Sequence, residues 1–133
     1  MRNATTMTLP IDPLSAHVLV VDDEVLIRWS LAETLRAAGH VVTQAASAAE
    51  TERALERPPN VVLLDYRLPD SADLGLLATI RRRVPAAAVI LMTAFGSAEL
   101  ADAARDLGAY LVLAKPFDIH EVSALVTAAY ASR

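Results

Sequence analysis

Apolar residues gather in short runs along this chain, and most runs give way abruptly to a polar or charged residue. His17-Val18-Leu19-Val20-Val21 leads into Asp22-Asp23, and Val61-Val62-Leu63-Leu64 leads into Asp65. Ala88-Val89-Ile90-Leu91-Met92 leads into Thr93, and Tyr110-Leu111-Val112-Leu113-Ala114 into Lys115. Runs this short, without alternation, fit strands buried on both faces of a parallel sheet. A fifth run, Val41-Val42-Thr43-Gln44-Ala45, is more polar and suits a sheet edge.

Between the runs the pattern turns helical. Ile27, Leu31 and Leu35 recur at intervals of four and predict a helix over 24–38, with Gly39 where a C-terminal cap is expected. Ser47-Ala48-Ala49-Glu50 reads as a capping box opening a helix to 57, which Pro58-Pro59 stops. Further helices are predicted over 73–83, over 97–107 with Ser97 as cap and Gly108 beyond, and over 118–130 with Asp118 as cap.

Strict alternation of five strands and five helices predicts an α/β fold, a doubly wound parallel sheet with helices on both faces. Right-handed crossovers and five strands fit the flavodoxin-like (βα)5 order 2-1-3-4-5. Residues 1–16 hold Pro10 and Pro13 among small polar residues and read as a flexible leader before one domain over 17–131. With 133 residues, 54% of them hydrophobic, the chain has enough apolar surface for a core. Cysteine is absent, so disulfides and thiolate metal sites are excluded. A net charge of −4 gives no electrostatic footprint for nucleic acid. No apolar run reaches the roughly 18–20 residues of a membrane span, and a soluble cytoplasmic protein is expected.

The polar ends of parallel strands meet at one edge. In the order 2-1-3-4-5 the first and third strands are neighbours, which brings Asp22 and Asp23 beside Asp65. Two like charges ~4 Å apart repel by about 4 kcal/mol at a surface-like dielectric. The cluster therefore calls for a cation, and oxygen-only ligands suit Mg²⁺ rather than Zn²⁺. Lys115 supplies a compact positive charge that can pair with Asp65 at rest and with a phosphoryl oxygen afterwards. Thr93 offers a hydroxyl donor. Asp65, ionised at neutral pH, reads as a nucleophile that accepts a phosphoryl group without a general base. Singly, each residue has an ordinary explanation as a turn, cap or solvated charge. The set, in order at the ends of four separate strands, carries the reading.

Val18-Leu19-Val20-Val21-Asp22-Asp23-Glu24, Leu63-Leu64-Asp65-Tyr66-Arg67-Leu68-Pro69, Met92-Thr93-Ala94 and Ala114-Lys115-Pro116-Phe117 together resemble the receiver domain of bacterial two-component response regulators. Ile27-Arg28-Trp29 and Met92-Thr93-Ala94-Phe95-Gly96-Ser97 look most like the nitrogen-regulation subfamily. The resemblance implies that Asp65 takes a phosphoryl group from a histidine kinase phosphohistidine, with Mg²⁺. It implies Asp23 as a direct metal ligand, Asp22 as one acting mainly through water, and the backbone carbonyl of Arg67 as a further ligand. Thr93 and Lys115 would hold phosphoryl oxygens, and the Lys115–Pro116 peptide would be cis. The implied partners are a sensor histidine kinase or phosphotransfer protein, with an output domain or self-association through the 97–131 face. Direct contact with nucleic acid or membrane is not expected.

Three features depart from that family. Val112 stands where the family has its aromatic switch residue, with Tyr110 two residues earlier. The loop after Pro69 reads Asp70-Ser71-Ala72-Asp73, where glycines are usual. Arg67 and Phe95 occupy the places where the family tunes dephosphorylation. Two other functions compete. A haloacid-dehalogenase-like phosphatase would need an acidic residue two positions after the nucleophile, where Arg67 stands. A docking module that is never phosphorylated is compatible with Val112 but leaves the acidic cluster without a use. A flavodoxin is excluded because the first strand runs into carboxylates rather than phosphate-binding backbone.

Overall fold

The computed structural model describes residues 15–133. The elements in chain order are β1 (His17–Val21), α1 (Val25–Ala37), β2 (Val41–Ala45), α2 (Ala48–Ala54), β3 (Val61–Asp65), α3 (Gly75–Arg83), β4 (Ala88–Thr93), α4 (Ala98–Asp106), β5 (Leu111–Ala114) and α5 (Ile119–Ala131). The five strands form one parallel sheet in the order β2-β1-β3-β4-β5, as expected.

Each strand divides its side chains between two cores, following the two-residue period of a strand. Leu19, Val21, Val62, Leu64, Val89 and Leu91 face one side, where Leu76, Leu77 and Ile80 of α3 and Ala104 of α4 cover them. Val18, Val20, Val61, Leu63, Ile90 and Met92 face the other, against Leu31 and Leu35 of α1 and Val122 and Val126 of α5. Burial on both faces is why the central runs show no polar alternation. The edge strand β2 keeps Val41 and Gln44 exposed, and its mixed sequence follows from that.

Helix ends follow local chemistry. Gly39 has φ +96° beyond α1, a left-handed conformation that costs glycine little. Ser47 Oγ accepts from the Glu50 N–H at 3.1 Å, and the Glu50 carboxylate accepts from the Ala46 N–H at 2.8 Å. Ser97 and Asp118 cap α4 and α5 through side-chain oxygens. The start of α3 moves from the expected 73 to Gly75, because the Asp73 carboxylate accepts the Gly75 N–H at 2.8 Å and closes a turn ahead of the helix.

At the end of the expected leader, Ala16 is buried, and its N–H donates to His40 Nδ1 at 3.0 Å. The rest of the expected leader, 1–14, lies outside the described residues.

Candidate functional site

Register determines what meets at the carboxyl edge. Val21 pairs with Leu64, so Asp22 follows beside Asp65. Asp65 pairs with Met92, and Thr93 pairs with Ala114, one residue before Lys115. Asp65 and Thr93 are the last residues of β3 and β4 rather than loop residues, so the sheet itself fixes their backbones.

Asp22 is fully buried. Its Oδ1 accepts the Glu24 N–H at 2.9 Å, and its Oδ2 accepts from Lys115 Nζ at 2.9 Å. Arg28 donates to the Asp22 carbonyl at 2.8 Å and fixes the backbone from α1. Asp23, by contrast, is exposed and faces the cleft. One carboxylate oxygen from each of Asp22, Asp23 and Asp65 lies within 4.8 Å of the other two.

Asp65 is only 7% exposed. Burial, reinforced by the charge of Asp22, pushes its carboxyl up to about 6, against the opposing pull of Lys115 and the Arg67 N–H. The Arg67 N–H lies 3.4 Å from Asp65 Oδ1, and Lys115 Nζ lies 3.4 Å from Asp65 Oδ2. Both contacts are long, so the Asp65 oxygens keep capacity for a new partner.

Lys115 was expected to pair with Asp65 at rest. The ion pair is present, but shorter contacts run to Asp22 at 2.9 Å and Glu24 at 3.2 Å. A fully buried carboxylate has the greatest need of a cation, so the ammonium sits closest to Asp22. Burial alone would lower the Lys115 ammonium; the hydrogen bond and charge of Asp22, with Asp65 and Glu24, overcome this and hold it above the ordinary lysine value. The Lys115–Pro116 peptide is cis.

Thr93 is buried, and its Oγ1 accepts the Phe95 N–H at 3.1 Å. Across the opening, the Arg67 guanidinium lies 5.1 Å from the centre of the Phe95 ring. These residues enclose a cleft of about 250 Å³, with Asp65, Asp23 and Lys115 in its wall. The donor set is all oxygen, strongly negative and partly desolvated, which fits a hard divalent cation. All five side chains singled out from the sequence therefore converge.

A family comparison bears directly on this arrangement: the sequence profile of the response regulator receiver domain matches residues 18–127. The chain belongs to the response regulator receiver family. This receiver is 44% identical over 110 residues to the DNA-binding transcriptional regulator NtrC of Escherichia coli (strain K12), covering 82% of this chain and 24% of NtrC. It is 35% identical over 119 residues to a probable chemotaxis protein CheY of Rhizobium etli, covering 85% of this chain and 91% of that protein. The solved structure of NtrX from Brucella abortus superposes with a TM-score of 0.81 at 33% identity, covering 89% of this chain and 28% of NtrX. The nitrogen-regulation likeness of the receiver is thus borne out, and the chain spans about a quarter of the length of the NtrC relatives it matches.

Sequence reasoning gave Glu24 and Arg28 no role in the site. The Glu24 carboxylate lies 3.2 Å from Lys115. The signal available was its place two residues beyond Asp22, at the same sheet edge as Lys115. Arg28 had no such signal, because its role is to hold a backbone carbonyl.

Proposed function

We propose that Asp65 is the phosphoacceptor of a two-component receiver over 17–131, taking its phosphoryl group from a histidine kinase or phosphotransfer protein. In this reading an Asp65 oxygen attacks phosphorus, the donor's P–N bond breaks, and the electron pair returns to the donor imidazole. The product is an acyl phosphate on Asp65. The observation that supports this best is the buried Asp65 carboxylate, within 4.8 Å of Asp22 and Asp23 and 3.4 Å from Lys115.

Lys115 shifts from carboxylates toward a phosphoryl oxygen as the acyl phosphate forms. The Thr93 oxygen already accepts from the Phe95 N–H, so its own proton is the one offered to the phosphoryl group. Mg²⁺, held by Asp22, Asp23, Asp65 and the Arg67 carbonyl, would neutralise charge on the approaching phosphoryl oxygens. Asp22 has both oxygens engaged by protein donors, which supports contact with the cation mainly through water. The chain acts as a cytoplasmic regulatory domain that serves its own phosphorylation and dephosphorylation, and signals through an output partner or self-association on the 97–131 face.

The test is incubation with acetyl phosphate and Mg²⁺, read by intact mass and Phos-tag gel. One acid-stable, hydroxylamine-labile adduct is expected on wild type and none on Asp65→Asn. An equal adduct on both would overturn the assignment. A second reading, a docking module that is never phosphorylated, draws on Val112. Its side chain already packs against the sheet core and provides no ring to reorient. Absence of any adduct on wild type would favour that reading.

A further inference from the structure

The loop that follows Asp65 is anchored by a carboxylate for which the phosphorylation chemistry has no use. Between β3 and α3 the chain forms a tight turn, with the Leu68 N–H donating to the Ser71 carbonyl at 2.8 Å and the Ser71 N–H donating back at 3.2 Å. Leu68 is buried and pins one side of the turn to the core. The tip carries Asp70 to the start of α2. There Asp70 Oδ1 accepts the Ala48 N–H at 2.7 Å and Oδ2 accepts the Ala49 N–H at 3.1 Å. These are donors that a helix start leaves without intrahelical partners. The two backbone bonds hold the Asp70 carboxyl below the usual carboxylate range.

Helix α2 already has its own capping device in Ser47 and Glu50. Asp70 reaches it from 22 and 21 residues further along the chain. What this adds beyond capping is a tether. The loop is then held at three successive points: the Tyr66 N–H on the Met92 carbonyl at 2.8 Å, Leu68 in the core, and Asp70 on α2. Arg67 lies between the first two, with its N–H toward Asp65 Oδ1.

We propose that Asp70 is a positioning residue for the phosphorylation site, clamping the turn to α2 so that the Arg67 backbone stays in place beside Asp65. The proposal rests on the reading of Asp65 as phosphoacceptor. Groups hydrogen-bonded to metal ligands typically change metal affinity by roughly 10–100-fold when removed, and Asp70, one step further out, is expected at the low end of that range.

Asp70→Ala, Asp70→Asn and Ser47→Ala in the whole chain test it. Ser47→Ala removes the helix's own cap and leaves the tether intact. The readouts are hydrogen–deuterium exchange across 66–71, Mg²⁺ affinity by intrinsic fluorescence, and the rate of adduct formation with acetyl phosphate. Asp70→Ala is expected to speed exchange at Arg67 and Leu68, raise the Mg²⁺ Kd about tenfold and slow phosphorylation. Asp70→Asn keeps one acceptor and recovers part of each effect. Ser47→Ala lowers Tm and leaves loop exchange and Mg²⁺ affinity at wild-type values. Equal effects from Ser47→Ala and Asp70→Ala, or unchanged exchange and Mg²⁺ affinity in Asp70→Ala, overturn the proposal. A wild type that takes no phosphoryl group defeats the Asp65 reading instead, and loop exchange still decides the role of Asp70.

Discussion

The two ends of this sheet treat polar groups in opposite ways. At the amino edge His17 and Asn60 bond reciprocally, the His17 N–H to Asn60 Oδ1 at 2.8 Å and the Asn60 N–H to the His17 carbonyl at 2.8 Å. Arg81 donates to the carbonyls of Pro85 and Ala87 and lies under the Gly108 turn. Its charge faces acceptors. At the carboxyl edge, Asp22 and Asp65 are both buried, and the charge of Asp22 opposes the ionisation of Asp65. Like charges remain together there because the same strand register that builds the core also aims them at one cleft. The difference separates a region arranged for stability from one whose electrostatic cost a cation can relieve.

Four experiments test that contrast, in decreasing order of effect. Asp65→Asn should abolish phosphorylation while leaving the metal-free fold at least as stable as wild type, measured by intact mass and urea unfolding. A less stable variant would mean that the Asp65 charge supports the fold. Lys115→Met removes the ammonium nearest the buried Asp22 and should cost about 3–5 kcal/mol in metal-free urea unfolding. A loss under about 1 kcal/mol would show that Asp22 is solvated well enough to stand alone.

Arg81→Ala belongs to the other edge. It should lower stability by about 1 kcal/mol, mainly by orphaning the part-buried Ala87 carbonyl, with no change in the rate of adduct formation. A slower rate would join the two edges functionally and undo the contrast. The smallest effect is a pH slope. Folding raises the Asp65 pKa to about 6, so the folded chain binds its proton more tightly than the unfolded chain. Metal-free stability should therefore fall as pH rises from roughly 4 toward 6, then level off. Asp65→Asn should lack that component, and Mg²⁺ binding to wild type should weaken as pH drops through the same window. Matching slopes in wild type and Asp65→Asn would assign the titration to another group.

Much of this was legible in the sequence because one physical rule governs both fold and site. A strand buried on both faces reads as an uninterrupted apolar run, and the first polar residue after it marks the carboxyl edge. Asp22, Asp65, Thr93 and Lys115 were found by that rule; strict alternation gave the parallel sheet, and five strands fitted the flavodoxin-like order. Contacts that depend on side-chain reach were not legible. Asp70 lies one residue past a proline in a polar loop, where nothing local distinguishes a tether to α2 from a solvated turn. Glu24 offered only its place two residues beyond Asp22 as a signal, and Arg28 offered none, since it holds a backbone carbonyl. The start of α3 was misplaced because Asp73 spends its carboxylate on a turn rather than on the first helical residue.

The pairing of α1 with α5 on one face of the sheet has a consequence in time. Leu31 and Leu35 are covered in part by Val122 and Val126, which a ribosome adds roughly 90 residues later. At about 5–20 residues per second, the apolar stripe of α1 waits several seconds for that cover. During that interval the α1 face of the nascent sheet stays open, so chaperone binding to newly made receiver should map to Ile27, Leu31 and Leu35 and cease when α5 emerges.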